Sequence, residues 1–288
     1  MYFCVMKTKP FIHCMKKIFY LSIVCLMMVA CENKKEKSDN ADDPEKKVLV
    51  LYYSQTGATA SVANQIKSCL NADIEEIVCE EPYDGDFGAT IERGKNELEK
   101  GEKPAIKPIV SDVQKYDIIF LGYPIWFGTY ALPVSTLIDT VNFEGKTIVP
   151  FCTFGSGGLE SSTDDLKSHL PKSDFKEGFG IRNARLKYMQ DELDDFLKRN
   201  GYMEGEIEEL PEFTAQEELT DEDKNVFHEA CDDYPFPMGT PVSVAKRSTS
   251  KGTEFRFITS SVDGSQSTVL VELRSEDGAK AEFTKVIR

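Results

Sequence analysis

An apolar, β-favouring run, Val48–Tyr53 (VLVLYY), passes directly into a hydroxyl-bearing loop around one glycine, Ser54-Gln55-Thr56-Gly57-Ala58-Thr59. A strand that is apolar on both faces belongs in a parallel sheet covered on both sides. Val62, Ala63, Ile66 and Leu70 then recur near helical spacing, so a helix is expected over Ala58–Leu70. Free N–H groups at that helix start, beside the Ser54, Thr56 and Thr59 hydroxyls, suit a phosphate. No lysine follows Gly57 and the spacing GxxxxGK[ST] is missing, which argues against a nucleotide triphosphate with magnesium. A plain strand-to-helix turn with a Ser or Thr cap leaves the same trace, and the loop alone does not separate the two.

The alternation of strand and helix continues to about Gly201. Strands are expected at Val48–Tyr53, Ile74–Val78, Asp117–Tyr123, Thr147–Cys152 and Phe175–Ile181, and helices at Ala58–Leu70, Ala89–Lys100, Pro133–Val141, Leu159–His169 and Ala184–Arg199. Such a chain is α/β, with a parallel sheet, helices on both faces and connections of one hand. Ligands of these sheets bind beyond the carboxyl ends of the strands, where strand order reverses. After the third strand, Gly122-Tyr123-Pro124-Ile125-Trp126-Phe127-Gly128 sets the only Trp in a loop bounded by glycines. After the fourth, the glycines of Thr153-Phe154-Gly155-Ser156-Gly157-Gly158 permit close approach to a flat ligand. A donor cluster, an aromatic wall and a glycine wall on one sheet edge describe a site for a phosphorylated planar heterocycle. A core Trp and plain turns are the separate alternatives, and the coincidence at three strand ends weakens them.

Residues 47–202 resemble the flavodoxin-like family. SQTGAT is similar to its phosphate loop, T/S-x-T-G-x-T. Tyr83, Ala89–Leu98 (ATIERGKNEL), Tyr116–Val134 (YDIIFLGYPIWFGTYALPV) and Pro150–Gly158 (PFCTFGSGG) match a subgroup of short flavodoxin-like proteins. The resemblance implies a five-stranded parallel sheet and non-covalent FMN. It implies a phosphate at Ser54, Gln55, Thr56, Gly57, Ala58 and Thr59, and an isoalloxazine ring flanked by Pro124, Ile125, Trp126, Phe127 and Gly128. Thr153, Phe154, Gly155, Ser156, Gly157 and Gly158 would close the other edge. Ala58 replaces a commoner Asn, and Phe154-Gly155 departs from the subgroup's small-residue order, which bears on ring-edge hydrogen bonding more than on phosphate binding.

With 288 residues, two domains are the expectation. The net charge of -15, with no gathered stripe of Lys and Arg, argues against nucleic acid. Met15-Lys16-Lys17 followed by the apolar run Ile18–Ala30 reads as a signal peptide rather than a membrane span. Met28-Val29-Ala30-Cys31 resembles a bacterial lipobox, which implies lipidation at Cys31; a secretory signal cut elsewhere is the alternative. The expected location is the cell envelope, anchored on the periplasmic or surface side of a bacterial membrane. Met15 is a candidate start. Removal of the four leader Lys takes the charge to -19. Residues 32–46 read as a charged, flexible tether. Cys69, Cys79, Cys152 and Cys231 show neither zinc nor CxxC spacing, so buried thiols are expected, with a Cys69–Cys79 pairing left open.

Residues 203–216 read as an acidic linker and 217–288 as a small α+β domain. Thr220 and Asp223 announce a capped helix over 218–230, followed by strands at Val242–Lys246, Thr253–Thr259, Thr268–Leu273 and Ala281–Ile287. This order, with SKGTEFRF (Ser250–Phe257), resembles the cystatin-like fold. Of the places matching that family's QxVxG inhibitory loop, Ser248, Thr249, Ser250, Lys251 and Gly252, only the glycine agrees, so an interaction or spacing module is expected rather than an inhibitor.

Three functions compete. One is an electron-transfer flavoprotein serving a redox partner protein or small acceptor, its acidic surroundings lowering the flavin potential. A second is a nicotinamide-dependent FMN reductase of quinones or nitro compounds. The third is an anchored binding or scaffold protein without redox activity. No acid–base pair or activated nucleophile stands out, since His169 and His228 read as solvated or capping residues.

Overall fold

The computed structural model describes residues 46–84 and 86–287. The leader, Cys31, the Met15 start and the tether as far as residue 45 lie outside the described residues. From Lys46 onward the chain forms one compact unit.

Its first part alternates as β1 (Val48–Tyr52), α1 (Ala58–Leu70), β2 (Asp73–Glu76), α2 (Phe87–Lys100), β3 (Ile118–Trp126), β4 (Thr129–Tyr130), α3 (Leu132–Thr140), β5 (Thr147–Phe154), α4 (Leu159–His169), β6 (Asp174–Phe175), β7 (Phe179–Arg182) and α5 (Met189–Arg199). The strands run in the order β2-β1-β3-β5-β6, with β7 also on β5 and β4 on β3. All pairings but β3–β4 are parallel, so β1 and β3 flank the point where strand order reverses. Two-sided burial explains the unbroken apolar β1. Leu49 and Leu51 enter the core on one face of the sheet, while Val50 and Tyr52 enter the core on the other.

Two strands depart from their expected form. The third continues past Tyr123 to Trp126 and folds back as β4 through Phe127 and Gly128, whose φ values are 50° and 87°. Left-handed backbone at both turn residues makes a tight hairpin, so Trp126 stands on a strand rather than in a glycine-bounded loop. The fifth is split. β5 pairs Ile148 with Phe175 and then Phe151 with Phe179, so Lys176, Glu177 and Gly178 face only Val149 and Pro150. Pro150 has no N–H for the ladder, and the extra outer residue is taken up as a bulge.

Helix boundaries follow local chemistry. α2 starts at Phe87 because the Asp86 carboxylate accepts the Ala89 N–H at 2.8 Å. The last helix of the sheet opens as a tighter 3-10 turn, Asn183–Tyr188, before α5 proper.

The C-terminal part consists of α6 (Asp221–Cys231) followed by β8 (Thr240–Thr249), β9 (Gly252–Ser260), β10 (Gln266–Arg274) and β11 (Glu282–Ile287). Thr220 and Asp223 form the reciprocal capping box that their spacing announces. The antiparallel sheet has the order β11-β10-β9-β8. Val226 and Phe227 of α6 pack into a core with Val244, Phe257, Val269 and Phe283. The segment before α6 lies along the outer edge of β8: Thr214 N–H donates to Lys246 O, and Glu217 exchanges both backbone hydrogen bonds with Val244. That contact covers a strand edge that would otherwise be free.

Candidate cofactor site

Gly57 is the N-cap of α1, held at φ 88°, and no side chain caps the helix at that residue. Ser54 serves instead: its hydroxyl accepts the Ala60 N–H at 3.1 Å. Thr56 and Gly57 are exposed and Ala58 half-buried, so the first N–H groups of α1 face outward at the end of β1. The Gln55 side chain is turned aside. It accepts the Tyr53 hydroxyl at 2.6 Å and donates to the carbonyl of Tyr83, so the amide braces the loop. Thr59 is 1% exposed and shares a hydrogen bond of 2.9 Å with Thr153, itself 2% exposed. Thr59 therefore joins the ends of β1 and β5 internally. Replacing it with Val strands the Thr153 hydroxyl, for an expected loss of about 1–2 kcal/mol in urea unfolding. The double change Thr59→Val/Thr153→Val is expected to recover most of that loss.

The hairpin after Gly122 supplies the aromatic side. Trp126 meets Tyr83 and Tyr53 edge-on, with ring centroids 5.0 and 5.8 Å away. Behind it, Arg93 lies 4.0 Å over the Tyr83 ring and pairs at 2.8 Å with Glu97, which also accepts the Tyr83 hydroxyl. A Cβ on Gly94 would stand 3.3 Å from Phe127, so α2 packs closely against the hairpin tip. Burial and then the Glu97 hydrogen bond push the Tyr83 hydroxyl far above its usual range, and burial raises the Cys79 thiol to about 11. Pro124, Ile125 and Trp126 are half-buried, while Phe127 and Gly128 are exposed.

Thr153 and Phe154 are buried residues of β5, and the loop proper begins at Gly155. A Cβ at Gly158 would come within 2.8 Å of Ile125, so this loop touches the hairpin. Tyr123 and Cys152 are fully buried, and Tyr123 shares a hydrogen bond with Ser162, which makes them packing residues. His169 and His228 sit in the last turns of α4 and α6 and contact Asp165 and Asp232. The three loops are thus brought to one sheet edge, with Gln55, Thr59, Thr153 and Phe154 serving as supports.

The sequence reading missed the brace formed by Arg93 and Glu97, although their i, i+4 spacing was a usable signal. It also missed Arg182, which donates to the carbonyl of Gly155 at 2.8 Å. Charges touching the loops are largely matched: Arg93 with Glu97, Lys285 with Glu160 at 2.7 Å. Among the described residues, no group of three or more His, Cys, Asp or Glu could hold a metal.

A switch-point site with an outward helix start, an aromatic strand and a glycine loop defines an α/β protein that holds a mononucleotide. The chain belongs to the flavodoxin family, whose model, described as Flavodoxin, matches residues 47–200. Similar solved structures include a candidate flavoprotein from Bacteroides eggerthii, with 32% identity and TM-score 0.45 over 52% of this chain and 96% of that one. Another, from Bacteroides uniformis, has 26% identity and TM-score 0.47 over 52% and 98%. A flavoprotein in complex with FMN from Lactobacillus acidophilus has 24% identity and TM-score 0.43 over 50% and 98%. No curated protein matches the chain.

FMN is the cofactor of this family, and the residues present fit it. The Gly57 cap lacks a side-chain partner and leaves open space where a Cβ would stand, as a bound phosphate requires. Thr56, Gly57, Ala58 and the Ser54 hydroxyl would hold the phosphate. Ile125, Trp126 and the 155–158 loop would hold the ring.

Proposed function

We propose that this chain is an FMN-dependent electron carrier of the cell envelope, anchored through a lipid on Cys31 and serving a redox partner protein or a small acceptor. The carrying observation is the cofactor cradle itself, in which a helix start without a side-chain cap, the Trp126 strand and the 155–158 loop meet at one sheet edge. The hydroxyls of Tyr53 and Tyr83 and the thiol of Cys79 are all driven upward by burial, so these groups keep their protons at neutral pH. The flavin supplies the redox chemistry when bound, and the protein binds, orients and shields it. Ser54 and the helix start fix one end, while the brace Arg93–Glu97–Tyr83 sets the position of Trp126 at the other.

The test is the visible spectrum of the full chain after supplying FMN. Retained flavin that is not bleached by anaerobic NADH or NADPH supports a carrier, rapid bleaching supports the reductase, and a colourless protein removes both. The phosphate contribution has its own test. Gly57→Ala meets no atom within 4 Å, so its effect arises from placing a side chain at φ 88°. We expect about 1 kcal/mol of lost stability and, through the displaced N–H donors, roughly tenfold weaker FMN binding with riboflavin binding unchanged. Equilibrium titration of both flavins checks the split. For the anchor, Cys31→Ser is expected to move the protein from the membrane to the soluble fraction.

A further inference from the structure

The 155–158 loop, which would hold the flavin ring, is held by the last strand of the C-terminal sheet. Val286 N–H of β11 donates to the Ser156 carbonyl at 2.7 Å. At the next residue, a Cβ on Gly157 would lie 2.5 Å from the Val286 carbonyl oxygen, so only glycine admits the strand at this spacing. Arg182, the last residue of β7, bridges the two domains: Nε donates to the Gly155 carbonyl at 2.8 Å and Nη1 to the Phe283 carbonyl at 2.7 Å. Its guanidinium lies 3.3 Å over the Phe283 ring. One residue beyond α4's start, Glu160 is tied to Lys285 of the same strand at 2.7 Å.

From these contacts we infer that the C-terminal sheet is a built-in clamp for the flavin ring and that Arg182 is the positioning residue that closes it. The inference rests on the FMN reading of the site. β11 is an edge strand of its sheet, and its backbone groups are used on two consecutive residues of the ring loop, Ser156 directly and Gly155 through Arg182. Arg182 has no carboxylate within ion-pairing distance among the described residues, and burial lowers its pKa to about 10. Both of its hydrogen bonds go to carbonyls, one in each domain, a use that fits a fixed fork of donors. From Gly158 the restraint passes to Ile125 of the hairpin, and from Thr153 to Thr59 of α1. The register of β11 is thereby felt at all three parts of the site.

The test compares full-length wild type, Arg182→Ala, Arg182→Lys and Gly157→Ala. We expect Arg182→Ala to bind FMN and riboflavin both about tenfold more weakly, with their ratio kept, because the phosphate loop is untouched. Loss of the resolved shoulder on the bound flavin's visible band should accompany it, and Arg182→Lys should recover part of both effects. Gly157→Ala pushes β11 from the loop without touching Arg182 and should give the same signature. Wild type that binds flavin while both Ala variants match it in affinity and spectrum would overturn the clamp and leave the FMN reading standing. Wild type that binds no flavin would overturn both. A change in the FMN-to-riboflavin ratio would place the defect in the phosphate loop and also count against the clamp.

Discussion

Arg185→Met is expected to lower stability by about 3–5 kcal/mol, more than any surface change in this chain. Arg185 sits in the 3-10 turn after β7 with its side chain 3% exposed. Its guanidinium pairs with Glu192 of α5 at 2.6 Å, with Glu272 of β10 and with Glu282 of β11 at 3.5 Å. Lys187 also reaches Glu282, and Arg274 reaches Glu272 at 3.2 Å. Removing the central cation leaves Glu192 without its ion-pair partner and takes one of two cations from each of Glu272 and Glu282, in a joint between the two sheets. Replacing a member of the ring on both sides is milder, so adding Glu272→Leu should return part of the loss. The pH dependence is diagnostic. Burial already holds the Glu192 carboxyl above its usual value. A raised folded-state pKa contributes stability below the unfolded value, and that contribution disappears as pH rises through the folded value. Without Arg185 the Glu192 carboxyl loses the cation that draws it down and is pushed further up, so the variant's deficit should be largest at neutral pH and shrink near about pH 5. Urea unfolding at both values checks this, and an equal deficit at each would contradict the assignment.

What could be read in advance followed from information held within a few residues. The β1 run with its glycine loop and helix, and the Thr220–Asp223 cap, are local patterns with one physical solution. The hairpin at Phe127-Gly128 was hidden because its first turn residue is a phenylalanine at φ 50°, where glycine or asparagine is the usual signal. The break in the fifth strand had a trace in Pro150, but the trace lies on the neighbouring strand, and reading it requires the pairing. Of the site, the loops after β1 and β5 were legible because glycines and hydroxyls cluster in sequence. Their supports were not. Arg182 meets Phe283 across 101 residues and Arg185 meets Glu272 across 87, and neither contact leaves a periodicity. Gln55 and Thr59 had the right chemistry for a phosphate, and only packing shows their side chains turned to Tyr83 and Thr153.

Gly122→Ala should be strongly destabilising for a single added methyl. Gly122 of β3 pairs directly with Phe151 of β5, and a Cβ there would lie 2.0 Å from the tip of the Phe151 ring. Contacts at that distance do not occur, so the strand or the ring must move. Phe151 is fully buried, and its core neighbours Val149 and Ile181 are 0% and 1% exposed, which leaves little room for the ring to turn. Overpacking of this kind costs about 3 kcal/mol. The damage also reaches the site, because the Gly122 carbonyl accepts the Tyr53 N–H at 2.9 Å, one residue before the phosphate loop. The variant should therefore lose flavin affinity together with about 3 kcal/mol of stability, whereas Gly57→Ala loses affinity with about 1 kcal/mol. Phe151→Leu shortens the obstructing side chain. Combined with Gly122→Ala it should be less destabilised than the sum of the single changes, with a coupling of about 1–2 kcal/mol. Additive single effects in urea unfolding would show that the collision lies elsewhere in the strand pair.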